Sequence, residues 1–526
     1  MINIYVFAFA GILTLLIACI NYINLSTAQS LTRIKEIGIR KILGSMKHQL
    51  ISQFLAESFL FCLIALALSF IAFDFALPLL NVLTDKHLVF KEVVDSTLLL
   101  TGVGLLVVIT FLAGAYPAIF VTKFESISAL KGSGFSGHGS QWLRKSLVVV
   151  QLTIACLLVS GSILIVKQMH YLETRPLGFQ KENVITIPLF NQNLNNFFQQ
   201  KDTTFSQRIE TFRNSLQRLP GIKNTALSSA PLGTGVIYRG IVPEVFTQDD
   251  NLLAANLSVE YDFLPAFGMK LVAGRTFSRD NAADAKEAFI VNETALKEFK
   301  WGTPEQALGK TINREGKKGN VVGVISDFNF TALTTAISAL ILSIDETQFN
   351  TLSIKFESST PQQMITQIQN EWNQLFPEKA FEYTFLEEQL NQQYSNYQNF
   401  GSIIQSFSVI AILIASLGVY GLVLFTVQRK VKEIGVRKVL GASVQSVLML
   451  IYRDFAILVL MGFIIATPVS YYLLKGWLNN FVYHTTIDIT MYGISFLAVL
   501  VIVSLAIGYQ VLKAALGNPV ESLRSE

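Results

Sequence analysis

Charge is scarce in this sequence. Of its 526 residues only 15% are Asp, Glu, Lys or Arg, whereas 51% are hydrophobic and the mean hydropathy is +0.46. Soluble domains carry about a quarter charged residues, so this balance excludes an ordinary soluble enzyme and places the chain in a bilayer. The net charge is only +4, and the Lys and Arg residues lie beside apolar runs, so the basic excess reads as membrane orientation and no nucleic-acid partner is expected. Cysteine is equally sparse. Cys19, Cys62 and Cys156 all fall in apolar stretches, which excludes a disulfide framework for an exported domain and a clustered thiolate metal site. His48, His87, His138, His170 and His484 show no ligand spacing. No catalytic residue, metal or cofactor is expected on the chain. A phosphate-binding loop is missing as well: the nearest likeness, Gly309-Lys310-Thr311, has Pro304 where the first glycine belongs.

What is present are long apolar runs. A helix needs about 20 apolar residues to cross about 30 Å of hydrocarbon. The stretches 4–25, 51–80, 97–120, 147–166, 403–426, 455–474 and 489–512 qualify. The first reads as a span and not a signal peptide, because no small-residue cleavage site follows it. Arg33, Lys35, Arg40, Lys41 and Lys47 follow the first run; Lys123, Lys131, Arg144 and Lys145 follow the third; Arg429, Lys430, Lys432, Arg437 and Lys438 follow the fifth. The short loops after the second and sixth hold only Lys86, Lys91 and Lys475. Positive charge marks the cytoplasmic side, so residues 167–400 lie outside and the C-terminus lies in the cytoplasm. The outside segment alternates β-like runs at 183–189 and 320–325 with polar helical stretches such as 361–376. The expected fold is thus a polytopic α-helical membrane protein of seven spans with an inserted mixed α/β extracytoplasmic domain, of one domain or two subdomains.

Span centres contain no Asp, Glu, Lys, Arg or His, and Glu57, Asp74, Arg453 and Asp454 fall near ends, which disfavours a proton-coupled carrier or a charged ion filter. Asn21, Asn24 and Gln151 read as interhelical hydrogen-bonding groups. In the outside segment, Asp327 reads as a turn cap, and Trp372, Phe376 and Phe385 as core.

The chain also repeats itself. Residues 33–45 read RIKEIGIRKILGS and residues 430–442 read KVKEIGVRKVLGA, identical at eight of thirteen positions. Each copy follows one span and precedes another, and each three-span set ends in a related tail, AYPAIFVTKFESISALKG or GYQVLKAALGNPVESLRS. The unit is therefore a parallel three-span repeat. Gly44 and Gly441 suit a left-handed C-cap, so each motif reads as a short helix ended by glycine. Ile34, Ile37 and Ile42 offer apolar contacts and Arg40 and Lys41 charge, a combination suited to docking in a partner's groove. Positive-inside anchoring is the alternative, but charge alone does not account for the recurrence of Glu36 with Glu433 and of both glycines. The tails at 518–524 and 125–131 form a second candidate contact. A span and outside domain precede the second three-span set but not the first, so a longer protein with both elements upstream is expected.

These residues resemble the MacB/FtsX-like permeases of ABC transporters, in the two-repeat form of Bacteroidetes-type bacteria. The resemblance rests on KEIGIRKILG and KEIGVRKVLGA, on LRKSLVVVQ, on the outside stretches FGMKLVAGRTFS, IVNETALKEF, GKTI and VVGVISDFNF, and on WLNNFVY and AALGNPVESLR. It implies a first repeat over 1–132, a linker and fourth span over 133–166, a MacB-type core domain over 167–400 and a second repeat over 401–526. It further implies an inner-membrane, mechanotransmitting subunit with a separate cytoplasmic ABC ATPase dimer that holds ATP and Mg. A periplasmic adaptor and outer-membrane channel are further implied partners, and membrane lipid surrounds the spans. The ATPase-coupling residues would be Lys35, Glu36, Gly38, Arg40, Lys41 and Gly44 in one copy, and Lys432, Glu433, Gly435, Arg437, Lys438 and Gly441 in the other. Export of a drug, peptide or lipoprotein-like substrate is the implied activity, and a membrane sensor or regulator of an envelope process is its rival.

Topology is directly checkable. In a chain stripped of Cys19, Cys62 and Cys156, a membrane-impermeant maleimide applied to intact spheroplasts is expected to label a cysteine at Asn281 and to spare one at Ser45; the reverse pattern would invert the orientation.

Overall fold

The computed structural model describes residues 2–32, 34–84, 87–122, 138–189, 203–250, 252–314 and 316–516. It divides into a helical unit (Met1–Met169, Asn396–Leu478, Thr485–Glu526) and an α/β unit (His170–Ser395, Asn479–His484).

The helical unit holds α1 (Ile2–Thr32), α2 (Ile34–Ile42), α3 (Lys47–Thr84), α4 (Ser96–Thr122), α5 (His138–Thr174), α6 (Leu386–Val439), α7 (Val444–Leu478) and α8 (Ile489–Leu516), with the unit division falling inside α5 and α6. Among the described residues, six helices are long and apolar enough to cross a membrane. All seven expected runs are helical; in the third, the apolar stretch Ser96–Leu112 opens a 27-residue helix that continues to Thr122. Pro78 and Pro468 sit inside α3 and α7 without ending either helix, as neighbouring groups in membrane bundles allow.

Helix α5 is the hub. Its Val148, Leu152, Cys156 and Val159 pack with residues of α6, α7 and α8, while Ile154, Ala155 and Leu158 pack with Ala10 and Ile17 of α1 and with α6. Small residues set the approach distances. A Cβ at Gly418 would stand 2.6 Å from the Gln151 amide, and one at Gly462 would stand 3.2 Å from the Thr153 nitrogen. Polar contacts join the same helices: Gln151 Nε2 donates to the Ile414 carbonyl at 3.1 Å, Ser408 Oγ to the Leu158 carbonyl at 2.9 Å, and Ser160 Oγ to Ser495 Oγ at 3.1 Å. Gln151 thus plays its expected interhelical role. Asn24 does not, since neither of its side-chain polar atoms meets a partner among the described residues, and Asn21 Oδ1 is likewise unmet. Among the described residues, Gln151 is met only through its Nε2, beside Gly418, and its Oε1 is unmet as well.

The α/β unit contains two sheets. The smaller, in the order β11 (Thr384–Phe385), β1 (Val184–Pro188), β10 (Thr351–Phe356), β2 (Ile222–Ser228), is antiparallel throughout. Its Ile185, Ile187, Leu352 and Ile354 share a core with Phe212 and Trp372 from helices Thr203–Leu216 and Pro361–Leu375. The larger sheet comprises β3 (Ile237–Pro243), β4 (Leu252–Ser258), β5 (Leu271–Gly274), β6 (Ala288–Asn292), β7 (Thr311–Arg314), β8 (Lys317–Ile325) and β9 (Leu340–Ser343). Its order is β5-β8-β6-β9-β4-β3-β7, and β7 also pairs with β8. The larger lobe is therefore inserted between β2 and β10 of the smaller. Alternation along β6 explains its continuous apolar run, because Ala288 and Ile290 enter one core while Phe289 and Val291 enter the opposite one. The expected runs at 183–189, 320–325 and 361–376 correspond to β1, β8 and the helix Pro361–Leu375. Trp372 and Phe376 are core, as expected, and Phe385 packs half-buried against the same cluster.

Asp327 acts at longer range than a local turn cap. Its Oδ1 accepts from Asn292 Nδ2 and from the Thr294 backbone N–H, both at 2.9 Å, and its Oδ2 accepts from Thr294 Oγ1 at 2.8 Å. It thus caps the helix Glu293–Glu298 from across the lobe. Asn292, wholly buried, accepts from the Leu340 N–H at 2.8 Å and the Ala295 N–H at 3.2 Å. Asn292→Ala would orphan both amides, which costs about 1–3 kcal/mol for a buried donor; the α/β unit of this variant is expected to unfold at lower urea, read by tryptophan fluorescence, and an unmoved midpoint would dismiss the network.

Candidate coupling surface

The repeated motif forms the same local structure twice. In the first copy it is α2; in the second it is the last part of α6, a single helix of 54 residues. Gly44 and Gly441 end these helices with φ of +97° and +90°, the left-handed geometry that glycine adopts at no steric cost. The Ser45 N–H reaches back to the Arg40 carbonyl at 3.0 Å, and the Ala442 N–H to the Arg437 carbonyl at 2.9 Å. Both are six-to-one Schellman closures, and the Gly44 N–H adds the inner bond to the Lys41 carbonyl at 3.1 Å.

The faces of the two copies also correspond. Glu36 pairs with Arg40 at 2.7 Å and Glu433 with Arg437 at 2.7 Å, each one turn apart and each about half exposed. Beside each pair runs an apolar column of equal exposure: Ile39 at 49% and Leu43 at 81%, Val436 at 47% and Leu440 at 80%. Ile37 and Ile434 point inward, the former onto Leu50 and Phe54 and the latter into the core of α5 to α8. Ile37 is therefore an anchor, not the outward contact its position suggested, because the helix phase puts Ile39 and Leu43 on the open face. Ile42, 57% exposed, does face outward.

The copies differ in their surroundings. Arg40 Nη1 also donates to Gln53 Oε1 at 3.1 Å, and Gln53 Nε2 donates to Glu57 Oε1 at 3.3 Å. Burial first, and then Lys47, pulls the Lys41 ammonium below the ordinary lysine pKa. Gly38 and Gly435 lie inside the helical backbone. The side chains of Ile34, Lys35, Lys432 and Lys438, and the tails at 125–131 and 518–524, fall outside the described residues.

Elsewhere, the phosphate-loop likeness resolves into a turn and strand. Gly309 has φ of +80°, Thr311 opens β7, and Lys310 pairs with Glu244 at 2.7 Å. That lysine, with the Thr311 N–H, holds the Glu244 carboxyl below the usual range. Among the described residues, no group of three or more His, Cys, Asp or Glu is placed to share one metal ion.

The model of the FtsX-like permease C-terminal region matches residues 8–126 and 405–519, and that of the MacB-like periplasmic core domain matches residues 152–371. The chain is 24% identical over 229 residues to the macrolide export ATP-binding/permease protein MacB of Chromobacterium violaceum, covering 41% of this chain and 35% of that protein. It is 23% identical over 215 residues to the uncharacterized ABC transporter permease YknZ of Bacillus subtilis, covering 39% and 53%. The solved periplasmic region of MacB from Actinobacillus actinomycetemcomitans aligns with 41% of this chain and 94% of its own, at 17% identity and a TM-score of 0.29. The match thus spans about a third of the length of the MacB relative. With apolar helices in two matched sets and the α/β unit inserted between them, the chain belongs to the MacB/FtsX-like family of ABC transporter permeases and is a multi-pass membrane protein with a MacB-like periplasmic domain.

Proposed function

We propose that α2 and the end of α6 are paired docking elements for a separate cytoplasmic ABC ATPase, and that its ATP-driven closure moves the extracytoplasmic domain. The observation that carries this reading is the duplication of one surface: an exposed Glu–Arg pair, an apolar column beside it and a glycine-closed end, twice. A two-fold ATPase needs two equivalent contacts, and anchoring by charge needs neither the apolar column nor the matched glutamates. In each copy the pair and column, Glu36 with Arg40 beside Ile39 and Leu43, and Glu433 with Arg437 beside Val436 and Leu440, would sit in a groove of the partner. Lys35, Lys41, Lys432 and Lys438 would meet its acidic rim, while Gly38, Gly44, Gly435 and Gly441 set the helix surface and its end.

Displacement of the second element would act on the end of a long helix. It is continuous with a helix that begins at Leu386, so a push at Arg437 is delivered along the helix instead of being absorbed in a loop. The work would serve export of a drug, peptide or lipoprotein-like substrate, with a periplasmic adaptor and outer-membrane channel completing the path. ATP and Mg would be held by the partner, and the C-terminus would lie on the ATPase side.

Purification of the tagged chain with an ATPase encoded beside it tests the reading. Glu36→Lys combined with Glu433→Lys is expected to lower co-elution by roughly tenfold or more, by placing like charge against the arginine side of each contact. Because these side chains are half exposed, the thermal midpoint of the permease should not change. Undiminished co-elution of the double variant would refute the docking assignment.

A further inference from the structure

Where the two lobes of the α/β unit meet, they form an open cleft of about 400 Å³, within the size range of small-ligand sites, about 300–1,000 Å³. Phe205 and Ile209 from the helix Thr203–Leu216 form one wall, and Tyr261, Ile344 and Phe349 from the other lobe form the opposite one. The floor is charged. Arg213 and Glu260, with side chains 5% and 6% exposed, pair at 2.6 Å across the junction. Arg213 Nε donates to Thr225 Oγ1 at 3.1 Å and its Nη1 also meets Glu210 at 2.9 Å. Arg279 Nη2 reaches the same Glu260 oxygen from the rim, and its guanidinium lies 5.2 Å over the Tyr261 ring.

The lining carries three carboxylates, Glu210, Glu260 and Glu346, against two guanidinium groups, so the sign of the ligand rests on which groups keep free hydrogen-bonding capacity. Glu260 already accepts three hydrogen bonds, its Oε1 taking both guanidinium groups and its Oε2 the Leu227 N–H at 3.2 Å. Glu210 is committed to Arg213, and Glu346 is engaged as well. Among the described residues, by contrast, no acceptor meets Arg213 Nη2, and Arg279 bonds only through Nη2. Arg213 Nη2 is not sealed from solvent, so it and the unused edge of Arg279 can donate charge-assisted hydrogen bonds to an anion placed in the cleft. The Tyr261 phenol, its pKa raised by burial first and then by Glu346, stays protonated as a further donor. We propose that this cleft binds an amphipathic anion, with a carboxylate or phosphate head on Arg213 and Arg279 and an aromatic or acyl body against Phe205, Tyr261 and Phe349. The site lies wholly in the α/β unit and does not depend on ATPase docking.

Equilibrium dialysis of the full chain in nanodiscs, against empty nanodiscs, tests it with three water-soluble probes: 1-naphthyl phosphate, 1-naphthaleneacetate and 1-naphthylmethylamine. At least one anion is expected to bind roughly tenfold or more tighter than the amine, about 1.4 kcal/mol. Preference for the phosphate or for the acetate would identify the head group. Arg279→Gln should weaken that binding about tenfold, and Ser206→Trp, which fills the mouth from an exposed position, should do so with the unfolding midpoint unchanged. Equal or tighter binding of the amine, anion binding that neither substitution weakens, or no saturable anion binding above that of empty nanodiscs would overturn the proposal.

Discussion

Close approach to α5 is the constraint on which the helical unit depends. Helices surrounded by lipid gain little from burying apolar side chains against one another, so they associate where backbones come near and polar atoms can pair. Gly418 and Gly462 remove the Cβ atoms that would strike α5, and Gln151, Ser160 and Ser408 use the resulting proximity to cross-link it to its neighbours. The consequence is visible in burial: the apolar window of α5 is 72% buried, whereas that of α3 is 6% buried and offers its apolar side chains to lipid.

Repetition of sequence produces repetition of geometry at the two repeated motifs, because the determining forces are local. A glycine at the helix end accepts the left-handed backbone, the Schellman bond follows, and Glu and Arg one turn apart meet whatever lies around them. Equal exposure of Ile39 with Val436 and of Leu43 with Leu440 follows from the same phase. Only the supporting partners differ, Leu50 and Phe54 beneath Ile37 but the α5 to α8 core beneath Ile434. The two copies are thus like surfaces on unlike supports.

In the α/β unit, buried polar groups do the joining that apolar packing alone does not specify. Asn292 and Asp327 tie three segments of the larger lobe, with donors and acceptors matched. Arg213 and Glu260 tie the lobes to each other, yet leave an N–H over. A satisfied network rigidifies, whereas one with a spare donor at the edge of a cavity is poised to take a ligand.

The amino-acid sequence alone determined the apolar runs, the parallel repeat, the glycine-closed helix ends and the strands at 183–189 and 320–325. Each of these is set by interactions within a turn or two of chain, or by the periodicity of burial. Tertiary structure alone decided that Ile37 turns inward while Leu43 stays open, that Gln151 finds a carbonyl while Asn24 does not, and that Asp327 caps a helix more than thirty residues away. It also assembled the cleft, whose arginines and aromatic walls come from both lobes. Contacts between such distant segments depend on how strands pair and helices pack, which no local pattern of residues encodes.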